Sequence, residues 1–260
     1  MHLRRLVDLV QRVRATSRRT EKVRLIADVL RQSTGRDTEL VALYLTGTVP
    51  QGRVGIGWRT IQSAMPGGDP AGEAPTLVEV DRTLDVIAAE TGPGSSERRL
   101  GALRDLLLRT DAGGRRFLAE LLVGEVRQGA LEGVLREAIA HAAGLPPGQV
   151  RQAAMFAGHV GELARVALTE GVEGLGRFSL RLLSPVAPML ASPADDVDAA
   201  LARLGEAAFE YKVDGARIQV HRAGDEVRVF THVVTDGMAR ELREARRLGI
   251  LVRFIPEVRS

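Results

Sequence analysis

From residue 3 to about residue 170 the apolar side chains return at the three- and four-residue spacing of an α-helix, as in Leu3, Leu6, Val7, Val10 and Val13, or Val80, Leu84 and Ile87. That period commits the first two thirds of the chain to helices packed on helices. Aromatic residues make up 3% of the sequence, so the core must be built from Leu, Val, Ala and Ile. The helix boundaries carry their own signals. Thr76 and Glu79 stand at capping-box spacing, Gly92-Pro93 ends the helix they begin, and Leu145-Pro146-Pro147-Gly148 precedes another. Gly113-Gly114 is expected to separate two helices, and Val49 to Pro75, rich in Gly and Pro, to be the longest irregular stretch. No repeat of fixed period appears, which disfavours a solenoid.

Near Phe178 the texture changes. Leu182-Leu183-Ser184-Pro185-Val186-Ala187-Pro188-Met189-Leu190 reads as an extended connector, because each proline drives its predecessor out of the helical region. The boundary is placed there, giving a helical domain over 1–178 and a mixed α+β segment over 179–260. Ser192-Pro193 followed by Asp195, Asp196 and Asp198 predicts a helix start, with an end near Gly205. Residues 207–213, 216–222 and 226–231 read as strands, the last two joined at Gly224-Asp225, and Asp236 to Leu248 reads as a helix. A sheet begun so late has about 80 residues in which to close a core, so the second domain is expected to be unfinished.

The chain has no cysteine, which removes disulfides and thiolate zinc sites, and its histidines (2, 141, 159, 221 and 232) never fall at metal-ligand spacing. No apolar run approaches the roughly 20 residues of a membrane-spanning helix, and no signal-peptide apolar region follows Met1. A cytoplasmic location with no membrane partner is therefore expected. So few aromatics also argue against a single-strand binder that stacks bases. Charge is unevenly placed: residues 1–60 hold 12 basic and 5 acidic side chains, while the remainder is net acidic. A basic end of this kind suits a polyanion, although a solvated arginine-rich face has the same composition.

Of the 36 basic residues only Lys22 and Lys212 are lysines, so position 212 departs from the chain's habit. An arginine stays charged in a protein, whereas a lysine in apolar or cationic surroundings shifts toward the neutral amine and can attack phosphorus or a carbonyl. A lone lysine is more often a solvated charge. Here Phe209, Tyr211 and Val213 flank it in an expected strand, Asp214-Gly215 supplies a tight turn, and Arg217 offers a fork of donors to phosphate or ribose. Lys212 is the candidate nucleophile.

Glu210-Tyr211-Lys212-Val213-Asp214-Gly215-Ala216-Arg217 resembles the K-x-D-G-x-R motif shared by ATP-dependent DNA ligases, RNA ligases and capping enzymes. Four further segments resemble the helical DNA-binding domain and connector of bacterial and archaeal ATP-dependent DNA ligases. They are Tyr44-Leu45-Thr46-Gly47, Gly52-Arg53-Val54-Gly55-Ile56-Gly57-Trp58, the stretch Gly124-Glu125-Val126-Arg127-Gln128-Gly129-Ala130-Leu131-Glu132-Gly133, and Pro185 to Ala191. The resemblance runs from about residue 1 to 231. It implies an all-α N-terminal domain followed by an incomplete α+β nucleotidyltransferase (adenylation) domain. It also implies ATP and magnesium as cofactors and nicked duplex DNA as partner; protein partners are not implied. Lys212 would take AMP from ATP as a phosphoramidate, pass it to the 5′-phosphate of a nick, and AMP would leave when the 3′-hydroxyl attacks. Glu210 would help recognise adenine and Arg217 would bind the nucleotide.

The resemblance further makes Arg53, Arg127 and Gly129 candidate DNA contacts, through side-chain charge and through amides exposed at a helix start. The glycines at 52, 55 and 57 lack the strand-to-helix setting of a dinucleotide fingerprint. They read either as a DNA-facing loop with Arg53 near a phosphate or as a loop anchored by Trp58 for structural reasons. After Val229-Phe230-Thr231 the family usually continues with an arginine that binds nucleotide, and here His232 stands there, weakening the clamp. The later acidic metal motif, the lysine pair at the α-phosphate and the OB-fold are not found, so the stretch from 233 to 260 reads as truncated or divergent. No nick sealing is expected from this chain alone. A duplex-binding module without ligase activity, and an RNA ligase or capping-type nucleotidyltransferase, are the alternatives. Dependence on NAD is disfavoured, because ligases of that kind carry cysteine-bound zinc.

Overall fold

The computed structural model describes residues 1–52, 54–126, 131–187, 194–208, 218–231 and 251–254. The chain divides into two compact units, one ending at Phe178 and the other beginning at Ser179. In the first unit the described helices are α1 (Leu3–Ala15), α2 (Arg19–Arg31), α3 (Arg36–Leu45), α4 (Trp58–Ala64), α5 (Leu77–Ala89), α6 (Ser95–Leu108), α7 (Ala112–Leu122), α8 (Leu131–Ala143), α9 (Pro147–Ala154) and α10 (Val160–Leu175). α1 buries Leu3, Leu6, Val7, Leu9, Val10 and Val13 as one stripe and turns Arg4, Arg5, Asp8 and Arg12 to solvent. By contrast α3 is buried continuously from Leu40 to Leu45, which makes it the central helix. It packs against α10 and α5, while α2 lies along α8 and α8 along α9.

The capping box at the start of α5 forms as its spacing predicts. Thr76 Oγ1 accepts from the Glu79 amide at 3.2 Å, and Glu79 Oε2 accepts from the Thr76 amide at 2.8 Å. Glu79 Oε1 also accepts from Arg109 at 2.8 Å. The Thr76 amide first, then Arg109, draw the Glu79 carboxyl down to about 2. A depressed carboxyl stabilises the fold above its unfolded value of about 4.3 and loses that contribution as pH falls through its folded value. Thr76→Ala is expected to cost about 1 kcal/mol at neutral pH. Glu79→Gln should lower the melting temperature at pH 7, with the gap from the parent protein closing between about pH 4 and pH 2. A gap that stays constant over that range would remove the box from the stability of the domain.

Three boundaries differ from the sequence reading. Gly113 and Gly114 lie inside the first turn of α7 and do not separate helices, because Asp111 caps that helix by accepting from the Gly114 amide at 2.7 Å. A side chain at 114 would collide with Thr110 Cγ2, so the glycine is needed for close packing and not for a break. The stretch from Val49 to Pro75 is interrupted by α4, whose single apolar stripe, Ile61 and Ala64, is too short to register as a period. In the second unit, α11 (Val197–Leu204) starts at Asp196, whose carboxylate accepts from the Ala199 amide at 2.7 Å. Ser192 and Pro193 lie outside the described residues. Asp196 offers the same capping chemistry four positions later with a charged acceptor, and it is the one used. The end at Gly205 is as expected, with φ of 70° there.

The second unit also holds β1 (Ile218–Ala223), β2 (Glu226–Thr231) and β3 (Leu251–Phe254), in spatial order β1-β2-β3. β1 and β2 are an antiparallel hairpin turning at Gly224-Asp225, with Ala223 opposite Glu226 and Ile218 opposite Thr231, and β3 joins β2 in parallel. Ala207 and Ala208 are in no strand, and 209–213 and the expected helix over 236–248 lie outside the described residues. The connector is tied to β1 through Gln219, which accepts from the Val186 amide at 2.9 Å and donates to its carbonyl at 2.6 Å. Ile218 and Val220 are 51% and 58% exposed, and α11 buries no residue. Among the described residues of this unit Phe230 is the buried large apolar side chain, met edge-on by His221 at 5.0 Å.

Candidate nucleic-acid interface

Two of the loops singled out by sequence meet in the helical unit. Tyr44 and Leu45 end α3 fully buried, so only Thr46 and Gly47 of that motif approach the surface. Gly47 has φ of 71°, and an added Cβ there would stand 3.1 Å from Val126 Cβ in the Gly124-Glu125-Val126 loop. That second loop is set by the end of α7, where Gly124 at φ of 72° lets the Glu125 amide donate to the Glu120 carbonyl at 2.8 Å. The close approach of 47 to 126 requires glycine. It brings together segments about 80 positions apart in the chain.

The next stretch, 49–57, is held at both ends. Gln51 Nε2 donates to the Asp81 side chain at 2.9 Å, to the Asp81 carbonyl at 3.2 Å and to Asp85 at 2.8 Å. Asp81 in turn accepts from Arg36 at 2.9 Å, Arg36 reaches Glu39 at 2.7 Å, and Glu39 accepts from Arg165 at 2.7 Å. Burial opposes charge on Glu39, but the bonds from Arg36 and Arg165 outweigh it and hold the carboxyl below its ordinary range. Burial, reinforced by the Asp81 charge, pushes the Tyr44 phenol up, so it stays neutral beside this network. On the far side of the loop Val54 and Ile56 are buried, and Gly55, with φ of 73°, faces Arg99 Nη1 at 3.1 Å from an added Cβ. Trp58 is 55% exposed, so it is not the anchor of this loop: Gln51, Val54 and Ile56 are. Sequence reasoning missed Gln51 because its partners, Asp81 and Asp85, stand about 30 positions later in α5.

The basic character of residues 1–60 is partly neutralised in space by acids from later in the chain. Arg14 pairs with Glu120 at 2.6 Å, Arg19 with Glu137 at 2.8 Å, and Arg36 with Asp81 at 2.8 Å. Arg4, Arg12 and Arg18 are exposed and make no ion pair among the described residues. The charge gradient along the sequence therefore survives as a handful of open cations rather than a continuous basic face.

The positions assigned to chemistry all fall outside the described residues: Arg53, Arg127 and Gly129 in the first unit, and Glu210, Lys212, Arg217 and His232 in the second. Their described neighbours are the anchored Gly52 and Val54, the Gly124–Val126 loop, and the rung Ile218 opposite Thr231, which in sequence adjoins both Arg217 and His232. No group of three or more His, Asp or Glu residues able to hold a metal occurs among the described residues, and no described helix is long and apolar enough to cross a membrane.

Comparison with known proteins bears on both units. Residues 62–140 match a family described as DNA ligase N terminus, and residues 188–245 match one described as ATP dependent DNA ligase domain. A protein named probable DNA ligase from Anaeromyxobacter sp. (strain Fw109-5) is 50% identical over 238 residues, covering 91% of this chain and 46% of that protein. Another of the same name, from Anaeromyxobacter dehalogenans (strain 2CP-C), is 47% identical over 262 residues, covering 100% of this chain and 50% of the relative. A third, from Streptomyces griseus, is 44% identical over 91% of this chain and 46% of its own length. The chain spans about half the length of the curated relatives it matches.

Proposed function

The chain belongs to the ATP-dependent DNA ligase family, and from that premise we propose that it serves the sealing of nicks in duplex DNA, with residues 1–178 as the duplex-holding unit and Lys212 as the residue that carries AMP. The observation that carries this reading is that Glu210 to Arg217, the K-x-D-G-x-R segment, lies inside the stretch 188–245 matched to the ATP-dependent ligase domain. The donor set there suits a nucleotide: a carboxylate for the adenine edge at Glu210, an amine at Lys212 and a guanidinium fork at Arg217. The uncharged Lys212 amine forms a bond to the α-phosphorus of ATP as pyrophosphate leaves, and the amine proton passes to solvent. Arg217 neutralises phosphate charge while the amine attacks. Magnesium, when bound, would add to that neutralisation; no ligand set for it is found among the described residues, so no step is derived through it.

Sealing needs grip without base preference, which suits contacts to phosphates rather than to base edges, and the sequence places Arg53 and Arg127 in the two loops that adjoin Gln51 and Gly47. Binding to nicked duplex is expected to be independent of sequence and to weaken steeply with salt, with a slope of log affinity against log salt of about −3 or steeper. Mass analysis after incubation with ATP and magnesium tests the enzymatic half, one added AMP being the expected result. The second reading, a duplex clamp without chemistry, draws support from the closed hydrophobic core of the first unit. No added AMP, together with salt-sensitive duplex binding, would favour the clamp and end the enzymatic reading.

A further inference from the structure

A small cavity of about 90 Å³ opens where α2, α8 and α9 meet, lined by Arg19, Gly133, Arg136, Glu137, Pro147 and Arg151. Arginines from three helices line it. Two are already held in place: Arg19 is clamped by Glu137 through Nε at 3.1 Å and Nη2 at 2.8 Å, and Arg136 by Glu132 one turn earlier at 2.9 Å. Arg151 is exposed and makes no ion pair or hydrogen bond to a side chain among the described residues. Counting both carboxylates, the cluster retains one net positive charge, the complement of a single phosphodiester.

Two further features suit an anion. Gly133 stands in the first turn of α8, and Arg19 Nη2 lies over it, 3.4 Å from where a Cβ would be, which is ordinary van der Waals contact. α9 begins at Pro147, which lines the cavity and has no amide hydrogen, and the Gln149 amide donates to the Pro146 carbonyl at 3.1 Å, so the start of α9 adds its dipole rather than a row of free amides.

We propose that this cavity is a phosphate-binding pocket and that its occupant is a backbone phosphate of the duplex, with Arg151 as the residue completed by it. The inference rests on the reading of residues 1–178 as a duplex-holding unit. It adds a contact that none of the sequence motifs marks, since the three arginines stand at positions 19, 136 and 151 and become neighbours only on folding.

The test uses the 260-residue chain, nicked duplex of two unrelated sequences, and affinity measured by fluorescence anisotropy between about 50 and 200 mM salt. Arg151→Gln is expected to weaken binding about three- to tenfold for both sequences and to make the salt slope shallower by about one, with the melting temperature unchanged. Parental affinity and slope for Arg151→Gln overturn the proposal. If Arg53→Gln and Arg127→Gln weaken binding in the same assay while Arg151→Gln does not, the pocket fails and the duplex reading stands. If the parent protein binds no duplex, both fail. A titration with inorganic phosphate separates the two sources of the same chemistry: a phosphate-induced rise in melting temperature that needs Arg151, with duplex affinity unaltered by the substitution, would assign the pocket to free phosphate and overturn the DNA contact.

Discussion

Incubated with ATP labelled at the α-phosphate and with magnesium, the 260-residue chain is expected to accept one AMP slowly on Lys212, and Lys212→Ala to lower that labelling at least about a thousandfold. Lys212→Arg should be as inert as the alanine variant although it keeps the charge. A guanidinium does not give up its proton at any workable pH and so has no lone pair to offer phosphorus, whereas a lysine amine offers one once it is deprotonated. The comparison of alanine with arginine thus separates a nucleophile from a mere phosphate clamp, which arginine would fill well. Lys22, the one other lysine, is an internal control on α2: Lys22→Arg should label as the parent does. A phosphoramidate hydrolyses in acid and survives base, so the label should follow that pattern. Label persisting on the Lys212→Ala protein would refute the assignment.

Much of the helical unit can be read from local pattern, and what cannot has a common cause. The period of Leu3, Leu6, Val7, Val10 and Val13 marks the buried face of α1, and Thr76 with Glu79 marks the start of α5, because both effects act within a turn or two of helix. The glycines at 113 and 114 were misleading for the opposite reason. Their role is set by Thr110 and by the Asp111 cap, and a Gly-Gly pair carries the same composition whether it breaks a helix or lets one pack closely. The charge of residues 1–60 likewise could not be assigned a face from sequence, since Glu120, Glu137 and Asp81 reach it only through the fold. In the second unit the motif points to Lys212, Glu210 and Arg217 as the proposed chemistry, and these lie outside the described residues. Gln51, which anchors the 49–57 loop, has no local signature, because a side chain that bonds across 30 residues leaves none. The joining of β3 to β2 in parallel is of the same kind: Leu251 to Phe254 reads only as a short apolar run until its pairing is known.

Gly161 tests whether the central packing, rather than the loops alone, fixes the proposed interface. Exchanging glycine for alanine inside a helix ordinarily stabilises by up to about 1 kcal/mol. Gly101 in α6, with open space around its hypothetical Cβ, should show that gain. Gly161, in the first turn of α10, should show the reverse. A Cβ there would lie 2.9 Å from both the Glu39 carbonyl oxygen and Leu43 Cγ, and 3.1 Å from His159 Nδ1. None of these can yield freely: the carbonyl is main chain in α3, Leu43 is buried, and His159 accepts from the Glu162 amide at 3.1 Å to cap α10. Relief must come from moving α10 off α3, which also stretches the 2.7 Å bond between Glu39 and Arg165. Gly161→Ala is therefore expected to lose its propensity gain and be destabilising on balance, and Gly161→Val to cost about 3 kcal/mol, measured by denaturant unfolding. Since α3 ends in Tyr44 and Leu45 and leads directly to Gly47 and Gln51, the valine protein should also bind duplex less tightly at temperatures where it remains folded. A Gly161→Val protein as stable as its parent would mean that α3 and α10 do not approach as closely as the structure has them, and the anchoring of the 49–57 loop through Arg165, Glu39, Arg36 and Asp81 would fall with that contact.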